Sequence, residues 1–105
     1  GNWTALTTSG SSPGGGQNTW IYHPRKGVFY QKGTSTGNTL NVLTPPSNTG
    51  GLTGTWTYST VTIAGSGLPS RTLGQEHYTC LQYAPAIDRL AWIAGTTQQV
   101  ALIKV

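Results

Sequence analysis

Short runs of apolar and β-branched residues alternate with turn-forming residues along the whole chain. Each run is rich in Val, Ile, Tyr, Trp or Thr and is bounded by Gly, Pro, Asn or Ser, a pattern typical of β-strands. Eight strands are predicted in this way: Asn2–Leu6, Thr19–Tyr22, Val28–Gln31, Thr39–Leu43, Gly54–Ile63, Tyr78–Tyr83, Leu90–Ala94 and Val100–Val105. The pattern therefore predicts an all-β fold.

Three of these strands recur in the same order in the two halves of the chain. The corresponding residues are Tyr22 and Tyr83, Pro24 and Pro85, Val28 and Leu90, Gly33 and Gly95, and Leu40 and Leu102. A nearly constant separation across three apolar segments indicates an internal repeat. Repeated units of this kind cannot cover their own apolar faces and stack on a neighbour.

A fourth type of strand, which carries a tryptophan, also occurs twice. Trp3 and Trp56 lie in the similar contexts Asn-Trp-Thr and Thr-Trp-Thr. If each forms the outer edge of a four-stranded antiparallel sheet, the first sheet is complete within residues 18–63. The second sheet, residues 77–105, lacks its outer strand, and we expect the N-terminal strand at residues 2–6 to complete it. An open edge would otherwise invite aggregation.

A short motif accompanies the repeat: a first strand ending in Tyr-x-Pro, a turn, and a second strand such as Val28-Phe29-Tyr30 or Leu90-Ala91-Trp92, followed by glycine. With the third strand and the outer Trp strand, this motif resembles the kelch-type β-propeller blade, whose period is about fifty residues. The resemblance covers nearly the whole chain as two blades. It implies twisted four-stranded blades around a central channel, with residues 19–22 and 78–83 innermost.

Two blades are too few to close a propeller, which takes about four to eight. Their apolar faces would be bare in a monomer, and soluble proteins seldom expose such patches. We therefore expect a cyclic homo-oligomer built by a repeated head-to-tail contact. A trimer with six blades is preferred, and a tetramer or a pentamer are alternatives. The competing interpretation is that the chain is a piece of a longer propeller.

Charge and cysteine content limit the kinds of partner and site that the sequence predicts. Charged residues make up only 8% of the chain, and the net charge of +4 comes from scattered basic residues. A nucleic-acid-binding protein would cluster them on one face, so no nucleic-acid partner is expected. Cys80 is the only cysteine and excludes an intrachain disulfide. We expect no metal site, no cofactor and no membrane span. The compartment stays open, and an extracellular or virion-associated location is compatible with the sequence.

The candidate ligand-binding residues lie mainly on the long polar loops, since loops on a rigid scaffold commonly carry recognition. They are Asn18, Trp56, Arg71, Gln75, Glu76 and His77. Their polar groups can form directional hydrogen bonds to sugar hydroxyls, and an aromatic ring can cover the apolar side of a pyranose. The alternative for Arg71 and Glu76 is a structural ion pair.

Catalysis is not expected. Glu76 and Asp88 are the only carboxylates, and Asp88 is predicted in a turn on the opposite face, so the two cannot act as an acid–base pair within one chain. A nucleophilic arrangement of Ser70, His77 and Glu76 would need side chains adjacent in sequence to adopt the geometry of a triad, which is uncommon.

Three functions follow from these features. The first is a multivalent carbohydrate-binding or surface-attachment protein, in which ring symmetry supplies avidity. The alternative is a structural or protein-interaction ring, for example a virion component, with no small-molecule ligand. The third is an enzyme with sites at the junctions between chains. Fold alone does not decide among them.

Overall fold

The computed structural model describes residues 1–13, 20–32, 37–47, 53–65, 67–69, 80–95 and 100–105. Within these ranges the chain forms eight β-strands and no helix, which confirms the predicted all-β class. No helix that could cross a membrane occurs in the described ranges. The strands form two sheets, one of five strands and one of three.

The first sheet contains the strands of the first half of the repeat. In chain order these are β1 (Thr7–Ser9), β2 (Ile21–His23), β3 (Val28–Gln31), β4 (Thr39–Thr44) and β5 (Thr55–Thr62). Their spatial order is β1-β5-β4-β3-β2. Strands β2 to β5 form an antiparallel meander, whereas β1 lies parallel to β5 at the outer edge.

The second sheet repeats the meander with three strands. These are β6 (Leu81–Ala84), β7 (Arg89–Ile93) and β8 (Val100–Ile103), in the order β6-β7-β8. Both pairs in this sheet are antiparallel. Within the described ranges the two sheets therefore share one topology over three strands, and the first sheet continues with β5 and β1.

The predicted N-terminal strand differs from the observed one. Residues 2–6 form no strand, and β1 begins at Thr7. Within the chain, β1 pairs with β5 of the first sheet and not with β8 of the second. The polar Thr and Ser residues of this segment give no apolar alternation that would fix its register. Whether residues 2–6 complete the sheet of another copy stays a prediction.

The turns that join the first two strands of each meander have matching geometry. The carbonyl of His23 accepts hydrogen bonds from the amides of Lys26 and Gly27, and the carbonyl of Ala84 accepts one from the amide of Ile87. Each turn ends in a left-handed residue, Gly27 with φ 66° and Asp88 with φ 51°. The sharp return of the chain requires this conformation, which glycine adopts without strain.

The ladders correct the sequence alignment of the repeat at two positions. Phe29 pairs with Tyr22, and Leu90 pairs with Tyr83, so Leu90 corresponds to Phe29 rather than to Val28. On the third strand Leu102 corresponds to Val42 rather than to Leu40, a shift of two residues that keeps the same face, because Leu102 and Val42 pair at matching positions. A shift of one residue moves a side chain to the other face of a sheet, so the correction decides which faces are equivalent.

The core lies between the two sheets. Its buried residues are Tyr30, Leu40, Val42, Cys80, Leu81, Leu90, Trp92, Ala94 and Ile103. The indole nitrogen of Trp92 donates a 2.7 Å hydrogen bond to the carbonyl of Pro69, and the Lys32 ammonium lies 5.6 Å from the centre of the Trp92 ring. Trp92 and Cys80 are both buried in this core.

Each sheet also has an outer face that carries apolar side chains. On the first sheet these are Trp20, Tyr22, Phe29, Leu43, Trp56 and Tyr58, here called the aromatic face. On the second sheet they are Ala91, Ile93, Val100 and Leu102, here called the aliphatic face. Tyr22 is 48% exposed and Leu102 is 59% exposed, so both faces meet solvent in the single chain.

Candidate functional site

The structure describes one of the six predicted ligand-binding residues. Trp56 lies on β5 and is half-buried on the aromatic face. The other five, which are Asn18, Arg71, Gln75, Glu76 and His77, lie outside the described residues. Ser70 of the conceivable triad also lies outside them, and so do Gly33 and residues 19, 78 and 79 of the predicted strands.

Trp56 forms one wall of a groove on the aromatic face. The groove has a volume of about 580 Å³ and is lined by Tyr22, Lys26, Gly27, Val28, Phe29, Thr44, Pro45, Pro46, Ser47 and Trp56. Its aromatic rings are in mutual contact: the ring centres of Phe29 and Trp56 are 6.0 Å apart, and those of Tyr22 and Phe29 are 5.0 Å apart. Tilted ring pairs at these distances are mutually stabilising.

The local sequence explains why this groove forms. Alternation along β3 and β5 places Phe29 and Trp56 on the same side of the sheet, and the antiparallel ladder through β4 holds them at a fixed separation. Pro45 and Pro46 follow β4 directly and close one end. The residues that line the groove also include the polar Lys26, Thr44 and Ser47. The groove can therefore cover an apolar surface and offer a few hydrogen bonds to its edge.

A polar bridge joins the two sheets beside the turns. The Tyr83 hydroxyl donates a 2.9 Å hydrogen bond to Oδ1 of Asp88, and Nε2 of His23 lies 3.5 Å from the same oxygen. Nη1 of Arg25 lies 3.5 Å from Oδ2 of Asp88. The rings of His23 and Tyr83 are 4.7 Å apart. Asp88 thus contacts two residues of the first sheet's turn and one of its own sheet.

His23 is held in one tautomer at this bridge. The amide of Lys26 lies 3.3 Å from Nδ1 of His23 and donates to it, so Nε2 carries the ring proton and points toward Asp88. His23 is almost completely buried. The contacts of the bridge run from His23 and Arg25 of the first sheet to Asp88 of the second. The bridge is therefore best described as a structural link between the sheets.

Two tyrosines near the bridge have altered acidity. Burial raises the pKa of Tyr30 above its ordinary value. The pKa of Tyr83 is also raised, mainly because the hydroxyl is removed from water, and further by its hydrogen bond to the Asp88 carboxylate and the negative charge there; Arg25 opposes the rise. Both hydroxyls therefore stay protonated, and Tyr83 stays a hydrogen-bond donor, at neutral pH.

A second groove runs along the edge of β8. It also has a volume of about 580 Å³ and is formed by Val100–Lys104 together with the segment that follows β5. That segment is held by Asn38, whose Oδ1 accepts a 2.8 Å hydrogen bond from the amide of Leu68. Within the described ranges, β8 is paired only with β7, so this groove follows the edge of β8 that has no neighbouring strand.

Sequence reasoning missed the polar bridge. It assigned Asp88 to a turn, which is confirmed, but not to a contact with His23 and Arg25, because the meeting of two turns depends on how the sheets pack. No group of three or more metal-ligating side chains occurs among the described residues. No protein-family model, curated protein or solved structure matches this chain.

Proposed function

We propose that this chain is a non-catalytic binding protein that works as a closed ring of identical copies, an oligomeric β-propeller with two sheets per chain. Three copies are preferred, and four or five are the alternatives. The observation that carries the proposal is that the packed pair of sheets leaves an apolar face on each side. Contiguous apolar patches on soluble proteins mark interaction surfaces, and two different patches on opposite sides suit a head-to-tail contact that closes into a ring.

The uncovered part of β5 supports the same assembly. Thr57 and Ser59 point toward the second sheet, on the same side as the buried Val42, yet both are exposed. The second sheet has three described strands and ends at β8, so nothing in it lies opposite this part of β5. A fourth strand beside β8 would cover these side chains.

The N-terminal segment suits that place. Trp3 corresponds in sequence to Trp56 of β5, and β5 pairs with β4, the counterpart of β8. Trp3 is 87% exposed and Leu6 is 41% exposed in the single chain. We therefore keep the prediction that residues 2–6 of one copy pair with β8 of another, along the groove at its edge.

The mass in solution tests this proposal. Light scattering of the unmodified chain at low micromolar concentration is expected to give a single species at a whole multiple of 11.1 kDa, with three as the preferred multiple. A species at the chain mass itself would contradict it.

Carbohydrate recognition is the second candidate function, and the groove around Trp56 favours it. Sugar rings have an apolar side that an indole can cover, and the polar lining residues Lys26 and Ser47 can bond hydroxyls. This candidate is an alternative to a contact between copies through the aromatic face, since both would use Tyr22 and Phe29. The loop residues Asn18, Arg71, Gln75, Glu76 and His77 remain proposed ligand-binding residues.

A glycan panel with two matched variants tests this second candidate. Trp56→Ala is expected to abolish binding to the glycan that the unmodified chain binds. Trp3→Ala is expected to keep this binding, because Trp3 is exposed and is not one of the residues that line the groove. Equal binding by both variants would remove the groove as the sugar site, and no binding by the unmodified chain would leave the structural ring as the function.

A further inference from the structure

The ladder register shows which faces of the two sheets are equivalent. Tyr22, Phe29 and Leu43 of the aromatic face correspond to Tyr83, Leu90 and Ile103, which form the inner face of the second sheet. Tyr30 and Val42 of the first sheet's inner face correspond to Ala91 and Leu102, which belong to the aliphatic face. Each exposed face is thus the repeat counterpart of a face that is buried.

The buried pair defines a contact between unlike faces. Within the chain, the inner face of the first sheet packs on the inner face of the second, and Leu40, Leu90, Trp92 and Ile103 are buried between them. The two faces that remain are the counterparts of these two, in the opposite order. A second copy can therefore present to each exposed face the same kind of face that covers its counterpart inside the chain.

We infer that the aromatic face of one copy docks on the aliphatic face of a second copy, so that the packing of the two sheets within a chain recurs between chains. This inference rests on the proposed self-assembly and identifies the surfaces that carry it. His23 and Tyr83 lie side by side inside the chain, and their counterparts are Ala84 and Tyr22. Ala84 of one copy thus lies against Tyr22 of the next.

The side chains on the two faces suit each other in size. The aromatic face presents the large rings of Tyr22, Phe29 and Tyr58, and the aliphatic face presents Ala91, Val100 and Leu102. Large side chains opposite small ones let two layers interdigitate without voids. Docking of two aromatic faces would also break the equivalence with the packing inside the chain.

The polar bridge does not recur at this junction. The counterparts of His23 and Arg25 are Ala84 and Ala86, and the counterpart of Asp88 is Gly27. The junction between copies therefore has an apolar contact where the junction inside the chain has an ion pair. Its strength is expected to depend little on salt, because screening acts on charges.

Two variants, alone and mixed, test the inference. Leu102→Asp places a charge on the aliphatic face, and Tyr22→Asp places one on the aromatic face. Each variant alone is expected to lose assembly and to run at 11.1 kDa, because a charge buried without a partner opposes docking. A mixture of the two is expected to give a 1:1 dimer at twice that mass, since one intact face remains on each variant. Ile87→Asp is the control. Ile87 stays 49% exposed even though the two sheets of the chain are packed together, so assembly is expected to persist.

Any other outcome contradicts a specific part of the inferred contact between the two faces. If either variant alone still assembles, other surfaces carry the contact. The same conclusion follows if the mixture reaches the mass of the unmodified protein. A mixture that stays monomeric would exclude the head-to-tail pairing, provided that near-ultraviolet circular dichroism shows Trp92 in its folded environment. Assembly through other surfaces would leave the proposed ring intact, whereas a monomeric unmodified chain would overturn the ring itself.

Discussion

The Tyr83 hydroxyl donates a 2.9 Å hydrogen bond to Oδ1 of Asp88, and this contact fixes a carboxylate at the point where the two sheets meet. Asp88 occupies the left-handed position that Gly27 occupies in the first turn. A side chain at this position is strained, and the contacts of Asp88 with Tyr83, His23 and Arg25 offset that strain.

Substitution of Asp88 separates strain from contact. Asp88→Ala keeps a Cβ at a left-handed φ and loses the bridge, so we expect the free energy of unfolding to fall by about 1–3 kcal/mol. Asp88→Gly loses the same contacts but relieves the strain, and we expect a smaller fall. Urea denaturation measures both values. An Asp88→Gly protein less stable than Asp88→Ala would contradict the assignment of Asp88 as a strained residue.

Stability is expected to fall in alkali because of the two tyrosines with raised pKa values. The folded protein holds the protons of Tyr30 and Tyr83 at a pH where the unfolded chain, with ordinary pKa values near 10, has released them. The stabilisation is therefore complete below about pH 10 and is lost as the pH rises through the folded-state pKa values.

Denaturation midpoints between pH 8 and pH 12 measure this loss. Tyr83→Phe is expected to be less stable at neutral pH, since the hydrogen bond to Asp88 is gone, but to lose less stability on the way to high pH. If the denaturation midpoint of Tyr83→Phe falls with pH as steeply as that of the unmodified protein, Tyr83 does not contribute to the loss of stability in alkali.

The sequence predicts strands well where apolar alternation is strong. β3 has the predicted bounds, and β4, β5 and β7 differ from prediction by one or two residues at an end. The observed strand at Thr7–Ser9 was not predicted, because this segment is polar and its pairing with β5 depends on the rest of the sheet. The alignment of Val28 with Leu90 was one residue off, since both positions are apolar and only the ladder distinguishes the faces.

The site was less accessible to sequence reasoning than the fold. Trp56 was named for its outer strand, and its groove depends on contacts with Phe29 across two ladders. The bridge depends on the packing of separate turns, which no local pattern encodes. Strand existence follows from local chemistry, whereas the meeting of His23 and Asp88, far apart along the chain, follows from tertiary packing.

The parallel pairing of β1 with β5 depends on Gly10. A Cβ on Gly10 would lie 2.3 Å from the carbonyl oxygen of Tyr58, and φ is 80°. Gly10→Ala is expected to detach β1 from β5 and to speed amide exchange at residues 7–9. Gly37→Ala is the matched control, because φ is 79° and nothing lies within 4 Å of the added carbon. Equal exchange in the two variants would show that the close approach to Tyr58 is not limiting.

Deletion of Gly1–Leu6 tests the exchanged strand. The remaining chain keeps β1 and the whole core, so it is expected to fold, but the β8 edge would stay open. We expect ring assembly to be lost because the exchanged strand is missing. We expect aggregation to increase because unpaired strand edges promote it. A truncated chain that assembles like the unmodified one, at the same mass by light scattering, would exclude the exchange.

Hydroxyl-radical footprinting of the unmodified protein tests most directly whether copies cover each other's outer faces. In the assembled protein, Tyr22 and Leu102 are expected to react well below the level that their exposure in the single chain implies, while Ile87 stays reactive. Their reactivity is expected to rise when Leu102→Asp or Tyr22→Asp separates the copies, each read at the residue left unchanged. If Tyr22 and Leu102 react in the unmodified protein as fully as their exposure in the single chain implies, the two faces are bare and the account is wrong.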